Sequence, residues 1–359
     1  MHLLVVGGGS AGHVIPALPV MARMQGEGAK VSFIGTRSGL EEELIAQSGA
    51  DYFAISTGKL RRYASLENFF DLFRIVAGLV QAWCIIGRIR PRIVFSKGGF
   101  VAFPVVFAAW LRRVPVVAHE SDLTPGLANR LCLPFVATLC TSFAQTQFST
   151  SRLFGFRGQT VYTGAPLRPE LDCGDAKKGR ASLAFEDPKP ILLVTGGSLG
   201  AEALNHVIRD ALDELTDQFN VVHICGVRKL SDISMPGYRQ FEYVDAGWGD
   251  LIAAADVVVS RAGANALFEL LSLRKVCLLV PLSALASRGD QIANARHMQE
   301  RGLVEVLQES ELTPASLITA LNRLRDREQL LAQRLLEFEI PDAVAKLCDE
   351  LNRAARPTV

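Results

Sequence analysis

Short apolar runs recur along the chain, most of them closed by glycine or a small polar residue, with helix-periodic stretches between them. The first set lies at 3–6, 30–34, 92–96, 115–118, 137–142 and 160–163. The second lies at 190–195, 220–225, 239–244, 255–260 and 276–280. Runs without polar alternation are what strands covered on both faces need, and strands alternating with helices predict parallel sheets. A helix is expected over 14–25, with Pro16 in its first turn, where a missing N–H costs nothing. Others are expected up to about Leu111, up to about Leu215, from Gly263 onward and over 342–355. The two sets predict an α/β protein of two Rossmann-like domains facing each other over a cleft. Residues 1–163 form the first domain and 164–341 the second, and a terminal helix at 342–359 packs back on the first.

The breaks between elements carry the candidate chemistry. Gly7-Gly8-Gly9-Ser10-Ala11-Gly12-His13 follows the first strand, and Lys97-Gly98-Gly99 follows the third. In the second half Gly196-Gly197-Ser198-Leu199-Gly200 follows a strand, and Ser260-Arg261-Ala262-Gly263 leads into a run of helix formers. A strand, a small-residue turn and a helix N-terminus favour an anion, because the first N–H groups of a helix lack partners and its dipole is positive there. Glu269 follows about 1.5 turns later, where a carboxylate suits ribose hydroxyls; an exposed helical Glu is the plain alternative. An NAD site wants an acid at the end of the second strand. The chain has Gly35-Thr36-Arg37-Ser38 there, which disfavours NAD, although Arg37 mimics an NADP site.

Composition narrows the classes. With 359 residues, 49% hydrophobic and 21% charged, the chain can bury a full core. A net charge of +1 argues against a nucleic-acid partner. Seven cysteines without C-x-x-C spacing read mostly as reduced core thiols. No D-x-D pair occurs and no carboxylates gather for a metal, so leaving-group charge falls to dipoles, Arg or Ser. The first residues read neither as a signal peptide nor as an anchor, which implies the cytoplasm. Lys59, Arg61, Arg62, Arg74, Arg88, Arg90, Arg92 and Lys97 are interleaved with apolar residues. The apolar run at 75–87 is too short for a membrane span, which takes about 20 residues. It reads either as a core helix with solvated arginines or as a basic amphipathic helix on an anionic membrane surface.

The stretches at 7–18, 98–104, 119–130, 163–168, 196–205, 260–275 and 287–295, in that order, resemble the bacterial N-acetylglucosaminyltransferases that form lipid II. The resemblance covers essentially the whole chain. It implies a GT-B fold, a UDP-N-acetylglucosamine donor, no required cofactor or metal, and a lipid-linked acceptor, lipid I. It implies a one-step inverting transfer, performed by a peripheral protein on the cytoplasmic face of the cell membrane, with other cell-wall synthesis and division proteins as partners. His13 would be the general base, since an acceptor hydroxyl must lose its proton as the new bond forms. Glu120 is a second catalytic candidate, and His119 is expected to be structural. Glu269 would bind ribose. Ser198, Gly263, Ala264, Asn265 and Ala266 would hold the donor diphosphate, and Arg168 would neutralise leaving-group charge. Gln291 and Asn129 would meet the sugar and Val244 the uracil, with Ser10 and Gly12 also on the donor. Gly8, Gly9, Gly98 and Gly99 would receive the acceptor diphosphate. Two departures affect the sugar contacts. Many members have Glu-Gln-Asn where this chain has Glu120-Ser121-Asp122, and two glutamines where it has Asp290-Gln291. Rival readings are another GT-B enzyme, either a glycolipid transferase or a UDP-N-acetylglucosamine epimerase, and a non-catalytic nucleotide-binding division scaffold.

Overall fold

The computed structural model describes residues 1–359 except 38–40, 59–65, 147–154, 157, 172, 198–199, 245–246, 285–286 and 357–359; at 66–70 and 72 it describes the backbone alone. Strands β1 (His2–Val6), β2 (Lys30–Thr36), β3 (Asp51–Ile55), β4 (Ile93–Ser96), β5 (Val116–Glu120), β6 (Thr138–Thr141) and β7 (Gln159–Tyr162) come first. Then follow β8 (Ile191–Thr195), β9 (Asn220–Ile224), β10 (Tyr238–Phe241), β11 (Val257–Ser260), β12 (Val276–Leu279) and β13 (Glu305–Val306). Helices α1 (Ala11–Val14), α2 (Leu18–Gly26), α3 (Glu41–Ala46), α4 (Leu66–Ile89), α5 (Ala102–Leu111) and α6 (Leu127–Cys132) lie among the first strands. Among and after the second set lie α7 (Ala176–Leu183), α8 (Glu202–Asp210), α9 (Leu212–Gln218), α10 (Trp248–Ala254), α11 (Ala264–Ser272), α12 (Asp290–Glu300), α13 (Pro314–Asp326), α14 (Glu328–Glu337) and α15 (Ala343–Ala354).

The chain forms two compact units, Met1–Arg168 with Pro341–Val359, and Pro169–Ile340. In the first, strand order is β3-β2-β1-β4-β5-β6-β7; in the second, β10-β9-β8-β11-β12-β13. Among the described residues every pairing is parallel. Each order reverses beside the unit's first strand, at β1/β4 and at β8/β11. In open parallel sheets the crevice at such a reversal, beyond the strands' C-terminal ends, is where ligands bind.

The central strands are apolar throughout because helices cover both faces. Leu3, Leu4, Val5 and Val6 are all buried. On one face of the first sheet lie Val105, Val106 and Ala109 of α5 and Ala82 and Ile86 of α4. On the other lie Val20, Met21 and Met24 of α2, together with Leu347, Cys348 and Leu351 of α15. Asp342 caps α15 through Ala345 N–H at 2.9 Å. In the second unit α13 shows the local logic clearly. Thr313 and Ser316 form a capping box, Pro314 opens the helix, and Leu317, Leu321 and Leu324 bury one face.

Two expectations change, and a third is borne out. The helix expected over 14–25 begins earlier and is broken: α1 gives way to a 3-10 turn at Ile15–Ala17 before α2. Pro16 and Pro19 supply no N–H, so the α ladder cannot run through them and the turn tightens. The sheets also hold β3 and β13, edge strands whose mixed sequences carry no strand pattern. The cysteines are free, and five of the seven are buried, as expected of reduced core thiols; Cys84 and Cys173 are exposed.

Candidate functional site

In the first unit, the turns after β1 and β4 lie side by side at the reversal. A Cβ on Gly99, whose φ is +82°, would stand 2.0 Å from the carbonyl oxygen of Gly8. Only glycine permits both that conformation and that contact. Gly8 thus meets Gly99, and the two turns from which the acceptor cradle was expected lie against each other. One N–H of that cradle is already taken: Gly9 donates to Glu41 Oε1 at 2.7 Å, and Thr36 donates to the other carboxylate oxygen at 3.1 Å. Glu41 is buried, so a carboxylate stands where an anion on Gly9 was expected. The sequence offers no signal for this, because Glu41 opens an acidic helical turn far along the chain.

His13 sits at the end of α1, half-buried, its Nδ1 3.1 Å from the carbonyl oxygen of Lys97. A carbonyl only accepts, so in the neutral ring Nδ1 carries the proton and Nε2 is the acceptor nitrogen. That is the tautomer a general base needs. Ser10 caps α1 with its backbone alone; its side chain is exposed and makes no capping bond. Gly12 is exposed beside it.

Lys97 itself is buried. Its ammonium contacts His119 Nδ1 at 2.7 Å and donates to Ser121 Oγ at 2.8 Å. Burial lowers its pKa to about 8, against the opposing pull of Glu120 and Asp122. His119 Nε2 reaches the carbonyl oxygen of Gly164 at 3.0 Å, so that nitrogen holds the proton and Nδ1 accepts from Lys97. Burial first, and the Lys97 charge second, hold His119 well below the ordinary histidine range. It is a neutral tie between the β4 turn and the end of the unit.

Glu120 is also buried. Its oxygens accept from Asp122 N–H at 3.0 Å, Gly126 N–H at 3.0 Å and Asn129 Nδ2 at 2.8 Å. The carboxylate therefore folds its own loop and holds Asn129. Asn129 Oδ1 is buried without a protein partner, and a Cβ on Gly98 would stand 3.0 Å from it. Asn129 accordingly lies beneath the second glycine turn. Arg168, half-buried, is the last residue of this part of the first unit.

In the second unit, the turn after β8 closes through Gly200 N–H to the carbonyl oxygen of Gly197 at 2.9 Å. Ser198 lies outside the described residues. The turn after β11 leads into α11, whose N-cap Gly263 has no side chain to cap it and whose first turn holds no acid. The N–H groups of Ala264, Asn265 and Ala266 form the first turn of the helix, where the dipole is positive. Arg261 is buried, donating to Val280 O at 3.1 Å and pairing with half-buried Glu309. Asn294 of α12 donates to Ala262 O at 3.2 Å. Gln291 accepts from Leu282 N–H at 3.0 Å, and its amide nitrogen is the nearest atom to a Cβ on Gly263, at 3.9 Å. With its carbonyl engaged, Gln291 turns its N–H groups toward the mouth of α11. Glu269 is half-buried on α11, and Val244 half-buried after β10. Among the described residues no group of His, Cys, Asp and Glu is gathered as for a metal ion.

Comparison with known proteins adds a likeness over nearly the whole chain. Residues 3–141 match the glycosyltransferase family 28 N-terminal domain, and residues 191–347 match the family 28 C-terminal domain. A Geobacillus thermodenitrificans protein named UDP-N-acetylglucosamine--N-acetylmuramyl-(pentapeptide) pyrophosphoryl-undecaprenol N-acetylglucosamine transferase is 44% identical over 357 residues, 99% of each chain. A Legionella pneumophila protein of the same name is 44% identical over 347 residues, 96% of this chain and 94% of its own. The crystal structure of Acinetobacter baumannii MurG superposes with a TM-score of 0.76 at 25% identity, covering 98% of this chain and 99% of that one. A Neisseria meningitidis UDP-GlcNAc 2-epimerase bound to UDP-GlcNAc shares the fold, with a TM-score of 0.67 at 13% identity over 99% of both chains.

Proposed function

We propose that this chain, which belongs to glycosyltransferase family 28, transfers N-acetylglucosamine from UDP-N-acetylglucosamine to the C4 hydroxyl of the N-acetylmuramyl-pentapeptide of lipid I, forming lipid II for peptidoglycan synthesis. The observation that carries the reading is the 44% identity, end to end, with transferases of that name. The local geometry supports a division of labour. The open end of α11, with Gly263, Ala264, Asn265 and Ala266, takes the donor diphosphate together with Ser198. Glu269 takes the ribose hydroxyls and Val244 the uracil. Gln291, an N–H donor beside Gly263, takes the sugar, and Asn129, Ser10 and Gly12 complete the donor set.

His13 Nε2 receives the proton of the acceptor hydroxyl as its oxygen attacks C1. The bond from C1 to the UDP oxygen breaks in the same step, and the configuration at C1 inverts. Charge developing on the departing diphosphate is met by the α11 dipole and by Arg168. The reaction draws on no cofactor. Gly8, Gly98 and Gly99 face the acceptor diphosphate, with Gly9 excluded because its N–H belongs to Glu41. Glu120 acts by holding Asn129 and its own loop, not by moving a proton.

No helix among the described residues is long and apolar enough to cross a membrane. The place where the chain meets its lipid acceptor is read from α4 and α5. Phe73, Val76, Val80 and Trp83 are exposed at helical spacing on α4, and Trp110 and Leu111 are exposed on α5. Arg112 stacks on Trp83 at 4.0 Å. An apolar face with arginines around it suits the anionic cytoplasmic leaflet. Lys59, Arg61 and Arg62 lie outside the described residues.

The test is purified protein with labelled UDP-N-acetylglucosamine and a short-chain lipid I analogue, without added metal. Disaccharide product is expected. UDP binding without disaccharide would remove the transferase reading, and acceptor-independent UDP-N-acetylmannosamine would replace it with an epimerase. Cosedimentation with anionic vesicles, lost on Val80→Asp with turnover of a water-soluble acceptor retained, checks the membrane face.

A further inference from the structure

The turn after β8 is held by a buried polar chain that none of the donor roles uses. Its last link is the carbonyl oxygen of Cys225, at the end of β9. A Cβ on Gly200 would stand 2.0 Å from that oxygen, so Gly200 rests directly on it. Asn205 Nδ2 donates to the same oxygen at 2.8 Å. Since a carbonyl only accepts, the amide nitrogen of Asn205 must face it and Oδ1 must face the other way. There Oδ1 meets His223 Nε2 at 2.9 Å. Nε2 must then carry the proton, which leaves Nδ1 to accept from the Tyr238 hydroxyl, 3.0 Å away. Every link has one permitted direction. His223, Asn205 and Tyr238 are all buried, so water cannot replace a lost link cheaply.

We infer that His223 is a positioning residue for donor binding: through Asn205 it fixes the Cys225 carbonyl, and so the height at which Gly196, Gly197 and Gly200 present the β8 turn to a nucleoside diphosphate. The inference rests on the donor reading above. Burial first, and the Arg209 charge second, lower the pKa of His223 to about 3. The ring is neutral wherever the enzyme is folded and active, and its contribution to donor binding is flat across neutral pH.

The experiment measures UDP affinity by calorimetry, acceptor KM and thermal stability for wild type, His223→Leu, His223→Gln and Tyr238→Phe. Leucine fills the space but breaks both links. Glutamine restores them, its NH2 donating to Asn205 and its carbonyl accepting from Tyr238. His223→Leu is expected to weaken UDP binding about 10-fold with acceptor KM unchanged, and His223→Gln to recover to within about 3-fold of wild type. Tyr238→Phe, a smaller change that serves if His223→Leu does not fold, is expected to weaken UDP binding about 3-fold. Wild-type affinity in both His223→Leu and Tyr238→Phe overturns the inference. So does equal loss in His223→Leu and His223→Gln, which marks mere packing. A wild-type protein that fails to bind UDP overturns the donor reading, and this inference with it.

Discussion

At the strand-order reversal of the first unit the glycine turns are crowded by buried side chains; at that of the second the helix α11 begins with no capping side chain and no acid in its first turn. In the first, Glu41 takes the Gly9 N–H, Gly8 rests against Gly99, and Lys97 lies buried behind His13. In the second, α11 starts without a capping side chain, and among the described residues a Cβ on Gly197 would meet nothing within 4 Å, although Gly196 and Gly200 of the same turn lie against Ala201 and Cys225. The same β-turn-α arrangement thus serves two ends. A crowded turn fixes a titratable side chain in one tautomer, whereas an open one leaves N–H groups and dipole for an anion that arrives from outside.

The largest effect expected from breaking this contrast is on turnover. His13→Ala removes the base and should lower kcat by about 10²–10⁴-fold while UDP binding, measured calorimetrically, stays intact. Near-normal turnover would return His13 to a structural role. Next comes Glu269→Gln on the open side. Losing a charged acceptor costs about 1.5–3 kcal/mol, so UDP affinity should fall about 10–100-fold with acceptor KM unchanged. An unchanged affinity would show the carboxylate to be a solvent-facing group only.

A third comparison sets stability against stability. Gly99→Ala puts a methyl on the Gly8 carbonyl at positive φ and should cost about 1–3 kcal/mol in urea denaturation. Gly197→Ala pays only for its backbone conformation, about 1 kcal/mol, and should act chiefly on UDP binding. Equal losses in stability would mean that the two turns are equally packed.

The last effect is on pH dependence. An unfolded lysine keeps its proton up to about pH 10.5, and buried Lys97 only up to about 8. Between those values the unfolded chain binds the extra proton, so this group's contribution to stability rises with pH; below 8 its full burial penalty applies. The stability difference between wild type and Lys97→Met should therefore grow in the wild type's favour from pH 8 to 10.5. A difference that stays level would show that Lys97 does not titrate early.

The open side was the more legible in sequence. A β-branched run, a glycine and a helix with Glu269 on it are local features, and local features survive in a linear reading. The crowded side was not legible, because its decisive bonds join distant positions. Glu41 reaches Gly9, Lys97 O reaches His13, and His119 reaches Gly164, each across at least one intervening strand. Glu120 shows the same limit. Its position at a strand end marked it for chemistry, but its three acceptor bonds are visible only once the 122–129 loop is folded. The strands at 3–6 and 191–195 were plain in the pattern, whereas β3 and β13 took their form from a neighbouring edge rather than from their own residues.

The placement of α15 sets an order of events during synthesis. Its Leu347, Cys348 and Leu351 complete the core around β1 and α2, yet they leave the ribosome only after the whole of Pro169–Ile340. The second unit has all its strands and helices available while the first still lacks one helix of the layer it shares with α2. The unit made first is therefore the one finished last. A frameshift or stop codon near residue 341 would leave the second unit whole and expose apolar surface on the first.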